Sequence, residues 1–544
     1  MRSFPRLLIA ALAGVGITLS LAPFDWMPLA ALSPVLLYHL LTQYPSPGEA
    51  QRNPRTKTHK ARPFWLGWFY GLGVYGSGAS WVYVSMTEHS NTSAGLATLM
   101  TTGFVAALAL CFALQASAFQ RLRVYKHPEH KNWTYHSVQA LTFLAVWVVF
   151  EWLKSFVLTG FPWLYLGYSL VDTPWQRLAP IGGVWLASAW VLAVGLMAYY
   201  LVCGVVRAFE QGLAMPVPQK RAPLALLLTG LLLGPLALPA LWTEPVLEDG
   251  QPKTLEVALI QANIDQNIKW QPEALRPILQ HYQALTESAI KTAQIKPDVI
   301  IWPETAIPAL FSRALVPLSP LLDRLDQQNI ALVSGLPTRV RQASGGYADY
   351  NSIGVLSSGF GLYHKQRLVP FGEYLPLRQY LHGLISFFEL PMSSFRLPNA
   401  PQTSLVVKGH HIAASICYEI AYPQLTQRLA KEADWLLTVS NDTWFGRSIA
   451  PDQHYQIARM RAIENGRTLV RATNNGISGV IDPLGQSYLT LPRFSAETGQ
   501  VRVTAMQGQT PFQQLYGLGA IIPCLLWLAW LIGRKFYRTT KGRR

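Results

Sequence analysis

The sequence is poor in charged residues. Asp, Glu, Lys and Arg make up 14% of its 544 residues, whereas an ordinary soluble protein contains about 25%. Hydrophobic residues make up 50% of the chain. This composition excludes an ordinary soluble globular protein and indicates a membrane protein.

No nucleic-acid-binding motif accompanies the formal net charge of +16. The basic residues concentrate in short loops and in the C-terminal tail, where membrane topology explains them. The charge is therefore no argument for a nucleic-acid partner, and we predict none.

Cysteine is also scarce. Three of the four cysteines lie in long apolar segments, namely Cys111, Cys203 and Cys524. Cys417 is thus the only cysteine in the region of globular composition, which excludes a disulfide framework there. No C-x-x-C motif is present, and the histidines lack the spacing of metal ligands, so we predict neither a metal nor a cofactor. A lone cysteine is more often buried and inert than a nucleophile, so its neighbours must decide its role.

Eight apolar segments are long enough to be considered as membrane-spanning helices. They lie at 6–22, 27–43, 64–85, 94–119, 138–157, 179–206, 222–241 and 514–533. Lys and Arg occur near both termini and in every second connection, while the loops at 23–26 and 87–93 contain neither. This alternation predicts eight crossings with both termini in the cytoplasm. The globular region before the eighth segment would then lie in the periplasm of a bacterium with two membranes.

The same distribution predicts four parts of the chain. They are a seven-span transmembrane bundle at 1–250, a globular domain at 251–508, an eighth transmembrane helix at 511–534 and a basic cytoplasmic tail at 535–544. In the globular domain, predicted strands alternate with predicted helices, which is typical of an α/β layered fold. The strands are Leu255–Gln261, Asp298–Trp302, Ile330–Ser334, Asn351–Leu356, Gly361–Lys365, Trp435–Ser440, Thr468–Thr473 and Gly479–Ile481, and the helices are Pro272–Gln294, Leu318–Gln328, Pro423–Lys431 and Gln453–Asn465.

Three residues suited to nucleophilic chemistry stand at the carboxyl ends of predicted strands: Glu304, Lys365 and Cys417. A helix follows Cys417, and we expect its amino terminus to lower the thiol pKa and favour the thiolate. A thiol nucleophile also needs a base for its proton and a cation for the oxyanion, which a glutamate and a lysine can supply. Spacing alone leaves open a helix-capping role for Glu304 and a solvated surface role for Lys365.

The segments around these residues resemble the three signature blocks of the nitrilase, or carbon–nitrogen hydrolase, superfamily. The blocks are Trp302-Pro303-Glu304, the run His364–Tyr374 that contains Lys365, and Ile416-Cys417-Tyr418-Glu419. With the flanking apolar segments, essentially the whole chain resembles the apolipoprotein N-acyltransferase family of Gram-negative bacteria. Further matches lie at 269–270, 440–446, 461–467 and 471–478, and Asn475 is a minor departure.

The resemblance implies a multi-pass helical membrane bundle of eight transmembrane helices joined to a nitrilase-like αββα sandwich. It implies that Glu304 is the general base, Cys417 the nucleophile and Lys365 the stabiliser of the oxyanion. The backbone N–H of Tyr418 is a second candidate oxyanion donor. Supporting or substrate-binding roles fall to Glu373, Tyr418, Glu419 and Trp270. Ordinary packing or a structural hydrogen bond is the alternative for the last three.

The implied reaction is an N-acyl transfer in two steps through a thioester on Cys417. The donor would be a membrane phospholipid, phosphatidylethanolamine in this family, which gives up its sn-1 chain. The acceptor would be the α-amine of the diacylglyceryl-cysteine at the N-terminus of a lipoprotein. The resemblance thus implies lipoprotein maturation at the bacterial inner membrane.

One apolar stretch supports a lipid substrate independently of the resemblance. Residues 375–398 are loop-like and rich in large apolar side chains, including Phe387 and Phe388. Soluble domains rarely expose such surface unless it contacts something apolar. We expect a membrane-facing lid beside an acyl-chain passage, and burial in the domain's own core is the alternative.

Two other functions stay open on the residues alone. A membrane-tethered amidase would pass the acyl group to water, although seven spans are excessive for an anchor. A binding module on a transporter-like bundle would have no use for Glu304, Lys365 and Cys417 together, and the spans carry few of the midplane charges typical of transporters. We expect Glu151 and Lys154, near the end of the fifth segment, to be structural or interfacial.

Overall fold

The computed structural model describes residues 4–44, 62–89, 92–124, 133–210, 222–343, 345–370, 372–374 and 395–541. The chain divides into two compact units. The first comprises Met1–Ser80, Thr98–Pro239 and Gly517–Arg544, and the second comprises Trp81–Ala97 and Ala240–Tyr516.

The described residues form α-helices in both units. In chain order they are α1 (Phe4–Leu19), α2 (Pro28–Thr42), α3 (Arg62–Gly78), α4 (Val82–His89), α5 (Ala94–Leu122), α6 (Trp133–Leu153), α7 (Ala179–Glu210), α8 (Ala222–Leu233), α9 (Gln266–Lys269), α10 (Leu275–Thr292), α11 (Phe311–Gln327), α12 (Pro423–Ala430), α13 (Ala450–Asn465), α14 (Pro511–Gln514) and α15 (Ile521–Lys541). The helices α1, α2, α3, α5, α6, α7, α8 and α15 coincide with the apolar segments of the sequence.

Three helices of the described residues are long and apolar enough to cross a membrane. They cover Ala94–Leu122, Thr134–Leu153 and Pro174–Val206, and shorter apolar helices cover Phe4–Leu19, Pro28–Thr42 and Leu226–Ala237. The third apolar segment, expected at 64–85, is interrupted, because α3 ends at Gly78 and α4 belongs to the second unit. Polar residues of α4 explain the break: Ser85 and His89 hydrogen-bond the backbone of that unit at 2.7 and 2.8 Å.

Glycines let two helices of the first unit meet backbone to backbone. A Cβ on Gly14 of α1 would lie 2.1 Å from the carbonyl oxygen of Tyr70, and one on Gly73 of α3 would lie 1.9 Å from that of Ala11. Small residues of this kind are typical of helix contacts in membranes, where close packing replaces the hydrophobic effect.

The two charged residues at the end of α6 contact protein groups. Glu151 accepts from the Trp147 indole N–H at 3.0 Å and from the backbone N–H of Leu166 at 3.1 Å. The Lys154 ammonium lies 5.3 Å from the ring centroid of Phe112 and 4.9 Å from that of Tyr165. These contacts fit the structural role that we expected from the sequence.

The strands lie in the second unit. They are β1 (Glu244–Pro245), β2 (Leu247–Glu248), β3 (Gln251–Pro252), β4 (Thr254–Gln261), β5 (Val299–Ile301), β6 (Ala331–Arg341), β7 (Tyr347–Ser357), β8 (Gly359–Phe360), β9 (Leu362–His364), β10 (Leu405–Val407), β11 (His410–Ile416), β12 (Trp435–Ser440), β13 (Leu469–Thr473), β14 (Gly479–Ile481), β15 (Ser487–Thr490), β16 (Glu497–Thr504) and β17 (Met506–Gln507). A 6-stranded sheet has the order β16-β4-β5-β6-β7-β9, and a 7-stranded sheet has the order β15-β14-β13-β12-β11-β10-β8.

Parallel strands form the middle of each sheet. In the first sheet β4, β5 and β6 run parallel, and in the second β11, β12 and β13 do. The remaining pairs of the two sheets are antiparallel. Parallel strands place their carboxyl ends at one edge, so residues that follow them gather there.

The main core of the second unit lies between the two sheets. Apolar side chains such as Leu259 and Val333 of one sheet pack in the same buried cluster as Ile416 and Val439 of the other. Helices α10 and α11 bury their apolar faces on the outer side of the first sheet. Helices α12 and α13 cover the outer side of the second. The second unit is therefore a helix–sheet–sheet–helix sandwich.

Helix α11 is longer than the sequence predicts. The expected helix begins at Leu318, directly after Pro317, and proline disfavours a helix interior. The observed helix begins at Phe311 and includes both prolines. Burial of its apolar face, with Ala314 and Leu318 fully covered, outweighs the loss of two backbone donors.

Candidate active site

Cys417 lies on a sharp turn at the carboxyl end of β11. Its φ of 52° is in the left-handed region, which costs a non-glycine residue about 1–2 kcal/mol. A 3₁₀ turn from Cys417 to Ala421 follows, and Pro423 starts α12. The thiol therefore projects from a strained turn at the edge where the parallel strands end.

Glu304 follows β5 in the facing sheet, and the residue is only 3% exposed. One carboxylate oxygen accepts the backbone N–H of Asn441 at 2.8 Å. The other accepts the Asn351 amide at 2.8 Å and lies 3.4 Å from the Lys365 ammonium. Because these partners come from β7, from the segment after β9 and from the end of β12, Glu304 is held by both sheets.

Lys365 lies between two carboxylates. Its ammonium is 2.8 Å from Glu373, whose carboxylate also accepts the Asn351 amide at 2.9 Å and the Val369 N–H at 2.9 Å. Burial alone would lower the Lys365 pKa, but Glu373, Glu304 and Cys417 together raise it. The lysine is therefore a permanent ammonium beside Glu304 and the thiol.

The Cys417 thiol is protonated at rest, contrary to the expectation from the helix that follows it. Burial, followed by the charge of Glu304, raises the pKa of Cys417 to about 12. Lys365 and a hydrogen bond with Ser440 oppose the rise without cancelling it. In a buried site desolvation of the thiolate outweighs the helix terminus, so a reaction through this thiol would need a base.

Glu419 connects the Cys417 turn to the Lys365 segment. Its carboxylate accepts the backbone N–H of Ile416 at 2.7 Å, the N–H of Arg367 at 3.0 Å and the hydroxyl of Tyr363 at 3.0 Å. Burial raises the pKa of Glu419 to about 7, although Lys365 and these hydrogen bonds oppose it. Glu419 thus connects the backbone beside Cys417 to the backbone beside Lys365.

The two aromatic residues that the resemblance points to lie differently. Trp270 packs on a small apolar cluster with Leu368 and Phe395, against which Tyr374 and Trp444 also pack. Tyr418 is buried, and its ring is perpendicular to that of Tyr422 at 5.3 Å between centroids. Most of the predicted lid, residues 375–394, lies outside the described residues, whereas its flanks Tyr374 and Phe395 belong to this cluster.

The sequence interpretation assigned no role to three residues that contact Glu304. Asn351 bridges the two carboxylates, and the backbone N–H of Asn441 contacts Glu304 directly. The buried Lys269 ammonium donates to the Glu304 carbonyl at 3.2 Å, and burial lowers its pKa to about 8 against the opposing charge of Glu304. For Asn351 a signal existed, because a carboxamide inside an apolar strand is costly to bury without partners.

The geometry brings a thiol, a carboxylate and an ammonium into one buried cluster. The thiol pKa responds to both Glu304 and Lys365, which places the three groups within electrostatic reach. A carboxylate that takes the thiol proton and a cation beside the attacked carbonyl are the requirements of acyl transfer through a covalent intermediate.

Two family models match this chain. Residues 13–197 match the apolipoprotein N-acyltransferase N-terminal domain, and residues 256–506 match the carbon–nitrogen hydrolase family. An apolipoprotein N-acyltransferase from Pseudomonas aeruginosa strain PAO1 is 42% identical over 543 residues, which cover 98% of this chain and 96% of that protein. One from Pseudomonas syringae pv. tomato is 42% identical and covers 97% of each chain. One from Vibrio vulnificus is 36% identical, over 98% of this chain and 97% of that protein.

Proposed function

Because this chain belongs to the apolipoprotein N-acyltransferase family, we propose that it works through a thioester on Cys417. It is an N-acyltransferase of lipoprotein maturation, with a membrane lipid as donor and a lipoprotein as acceptor. The finer proposal is that an sn-1 acyl chain passes from phosphatidylethanolamine to Cys417 and then to the α-amine of diacylglyceryl-cysteine. The convergence of Glu304, Lys365 and the Cys417 thiol in one buried cluster carries this proposal.

In the first step Glu304 takes the proton of the Cys417 thiol while Sγ attacks the ester carbonyl of the phospholipid. The Lys365 ammonium and the backbone N–H of Tyr418 stabilise the oxyanion of the tetrahedral intermediate. The intermediate collapses when the bond to the glycerol oxygen breaks, and Glu304 returns the proton to that oxygen. The products are a lysophospholipid and an acyl thioester.

In the second step the α-amine of the lipoprotein attacks the thioester carbonyl. Glu304 accepts a proton from the amine and gives it to Sγ as the C–S bond breaks. This proton matters because a thiol with a pKa of about 12 leaves poorly as a thiolate. The amide is more stable than the thioester, so the transfer runs downhill and Cys417 returns to its protonated state.

We also propose that Glu373, Glu419, Tyr418 and Trp270 support this chemistry. Glu373 holds the Lys365 ammonium at 2.8 Å, and Glu419 holds the backbone on both sides of the site. Trp270 and Tyr418 would offer apolar surface to an acyl chain. The lid at 375–398 would cover that chain.

For the membrane part, we propose eight crossings with both termini in the cytoplasm and the catalytic domain in the periplasm. The domain limits are those expected from the sequence: a bundle at 1–250, the catalytic domain at 251–508, the eighth helix at 511–534 and a basic tail at 535–544. The eight helices that coincide with the apolar segments of the sequence and the alternation of basic loops support this arrangement.

The experiment is intact-mass analysis of the full-length protein after incubation with phosphatidylethanolamine vesicles. We expect one added acyl mass that hydroxylamine removes, that is absent in Cys417→Ala and that persists in the matched control Cys203→Ala. A diacylglyceryl lipopeptide should then discharge the adduct and gain the acyl chain. If free fatty acid is the sole product even with the lipopeptide present, the protein is instead a membrane-tethered amidase.

A further inference from the structure

A buried chain of polar side chains lies beneath the Cys417 turn and has no part in the chemistry above. Arg471 on β13 donates to one oxygen of Asp442 at 2.7 Å, and the other oxygen lies 3.1 Å from Nδ1 of His454. His454 on α13 lies with Nε2 3.1 Å from the carbonyl oxygen of Cys417. None of the three side chains is more than 1% exposed. Burying two charges and an imidazole costs desolvation free energy, so a function for these three buried side chains is expected.

The contacts define the donor of the imidazole. A carbonyl oxygen only accepts, so Nε2 must carry a hydrogen. Nδ1 lies 3.1 Å from the Arg471 guanidinium, which only donates, and 3.1 Å from the Asp442 carboxylate, which only accepts, so either form of Nδ1 has a partner. Burial and Arg471 lower the pKa of His454, with Asp442 opposing them. In either form of Nδ1, His454 donates from Nε2 to the carbonyl oxygen of Cys417.

Peptide geometry explains why this donation matters. The carbonyl of Cys417 and the N–H of Tyr418 belong to one planar trans peptide, in which the two groups point in opposite directions. Whatever holds the carbonyl therefore also directs the N–H. The φ of 52° at Cys417 is strained, so a conformation in which the Cys417–Tyr418 peptide is rotated would compete with the observed one unless a hydrogen bond held the observed one in place.

We propose that His454 is a positioning residue that holds the peptide between Cys417 and Tyr418 so that the Tyr418 N–H points into the oxyanion site. Asp442 and Arg471 in turn hold the imidazole with its donor towards Cys417. This inference rests on the proposed function, because it assumes that the Tyr418 N–H binds the oxyanion. It adds three buried residues that never touch the substrate to the groups on which acylation depends.

The test compares His454→Gln, His454→Asn and His454→Leu in the full-length protein. The glutamine amide can reach the Cys417 carbonyl, the shorter asparagine amide cannot, and leucine has similar bulk without a donor. Two rates are measured: formation of the hydroxylamine-labile adduct from phosphatidylethanolamine vesicles, and alkylation of Cys417 by iodoacetamide. Alkylation needs the thiol but no oxyanion donor, whereas a general loss of structure would expose the buried thiol and speed its alkylation.

We expect acylation to fall about 10²–10³-fold in His454→Leu and His454→Asn, the usual effect of losing one oxyanion donor. Alkylation should change little, and His454→Gln should recover most of the acylation rate. If His454→Leu does not fold, the glutamine–asparagine pair carries the comparison alone. The proposal is wrong if the donor-free variants acylate at the wild-type rate, if the alkylation rate changes in either direction by as much as the acylation rate, or if glutamine is no better than asparagine. Should the wild type itself form no adduct at Cys417, the proposed function fails rather than the role of His454.

Discussion

Replacing Glu304 by glutamine removes the proposed base while keeping the shape of the side chain. The thiol pKa of about 12 lies about 5 units above neutral pH, so forming a free thiolate costs about 7 kcal/mol at about 1.36 kcal/mol per unit. A base that takes the proton during attack avoids most of that cost. The loss is smaller than the full figure, because the charge of Glu304 itself raises the thiol pKa. General bases contribute about 10²–10⁴-fold, and we expect a decrease of that size.

The pH dependence makes this prediction specific. Without a base, the rate should follow the fraction of thiolate and rise about tenfold per pH unit up to the thiol pKa. The assay is the initial rate of adduct formation by intact mass, over neutral to alkaline pH, for wild type and Glu304→Gln. Glu432→Gln, which removes an exposed carboxylate of the same unit, is the matched control. A decrease of less than about tenfold, or a rate in Glu304→Gln that ignores pH, refutes Glu304 as the base.

Further predictions concern stability and positioning. Glu419 has a pKa of about 7 in the folded protein, against an ordinary value of 4.5. Between these two pH values the folded state binds more protons than the unfolded state, so the free energy of unfolding falls by about 3 kcal/mol as the pH rises from one to the other. Denaturation of Glu419→Gln at both pH values should lack this decline, and an unchanged decline would contradict the raised pKa of Glu419. Lys365→Met leaves Glu304 and Glu373 facing each other without a cation and should lower the free energy of unfolding by about 3–5 kcal/mol. The double variant that also carries Glu373→Gln should recover part of this loss. If denaturant titrations show that the losses of the two single variants simply add in the double variant, the proposed electrostatic cluster is wrong. Gly335→Ala puts a Cβ 2.5 Å from the backbone nitrogen of Thr305 and 2.7 Å from Cα of Glu304, so displacement of Glu304 should slow adduct formation at least tenfold. The control Gly354→Ala, whose nearest neighbours are side-chain atoms at 3.4 Å, should form the adduct near the wild-type rate. Equal rates in the two variants would exclude the steric explanation.

Much of the second unit was predictable from local pattern. The strands that precede Glu304 and Cys417 are continuous apolar runs, and the structure has them at Val299–Ile301 and His410–Ile416. Strands of parallel sheets are continuous apolar runs because both faces of the sheet are covered. The start of α11 was not predictable, since two prolines argue locally against a helix that tertiary burial stabilises.

The contacts of the site were less accessible to sequence reasoning. The N–H that binds Glu304 belongs to Asn441, which is 137 residues away. The bridging amide of Asn351 comes from a third segment, 47 residues from Glu304. Neither distance leaves a periodic trace, because these hydrogen bonds depend on how separate strands and the two sheets are placed in space and not on residue spacing within one strand.

The sequence by itself determined the class of the protein, since the apolar segments, the strand-end residues and the signature blocks are all local features. Only the tertiary structure decided the state of the thiol: a local argument from the following helix predicts a thiolate, whereas burial beside Glu304 keeps the sulfur protonated. It also decided that His454, which stands without a metal-like pattern on its helix, donates to the Cys417 carbonyl. The physical reason is the same in both cases. Desolvation and hydrogen-bond direction depend on everything that surrounds a group in space, and those neighbours come from distant parts of the chain.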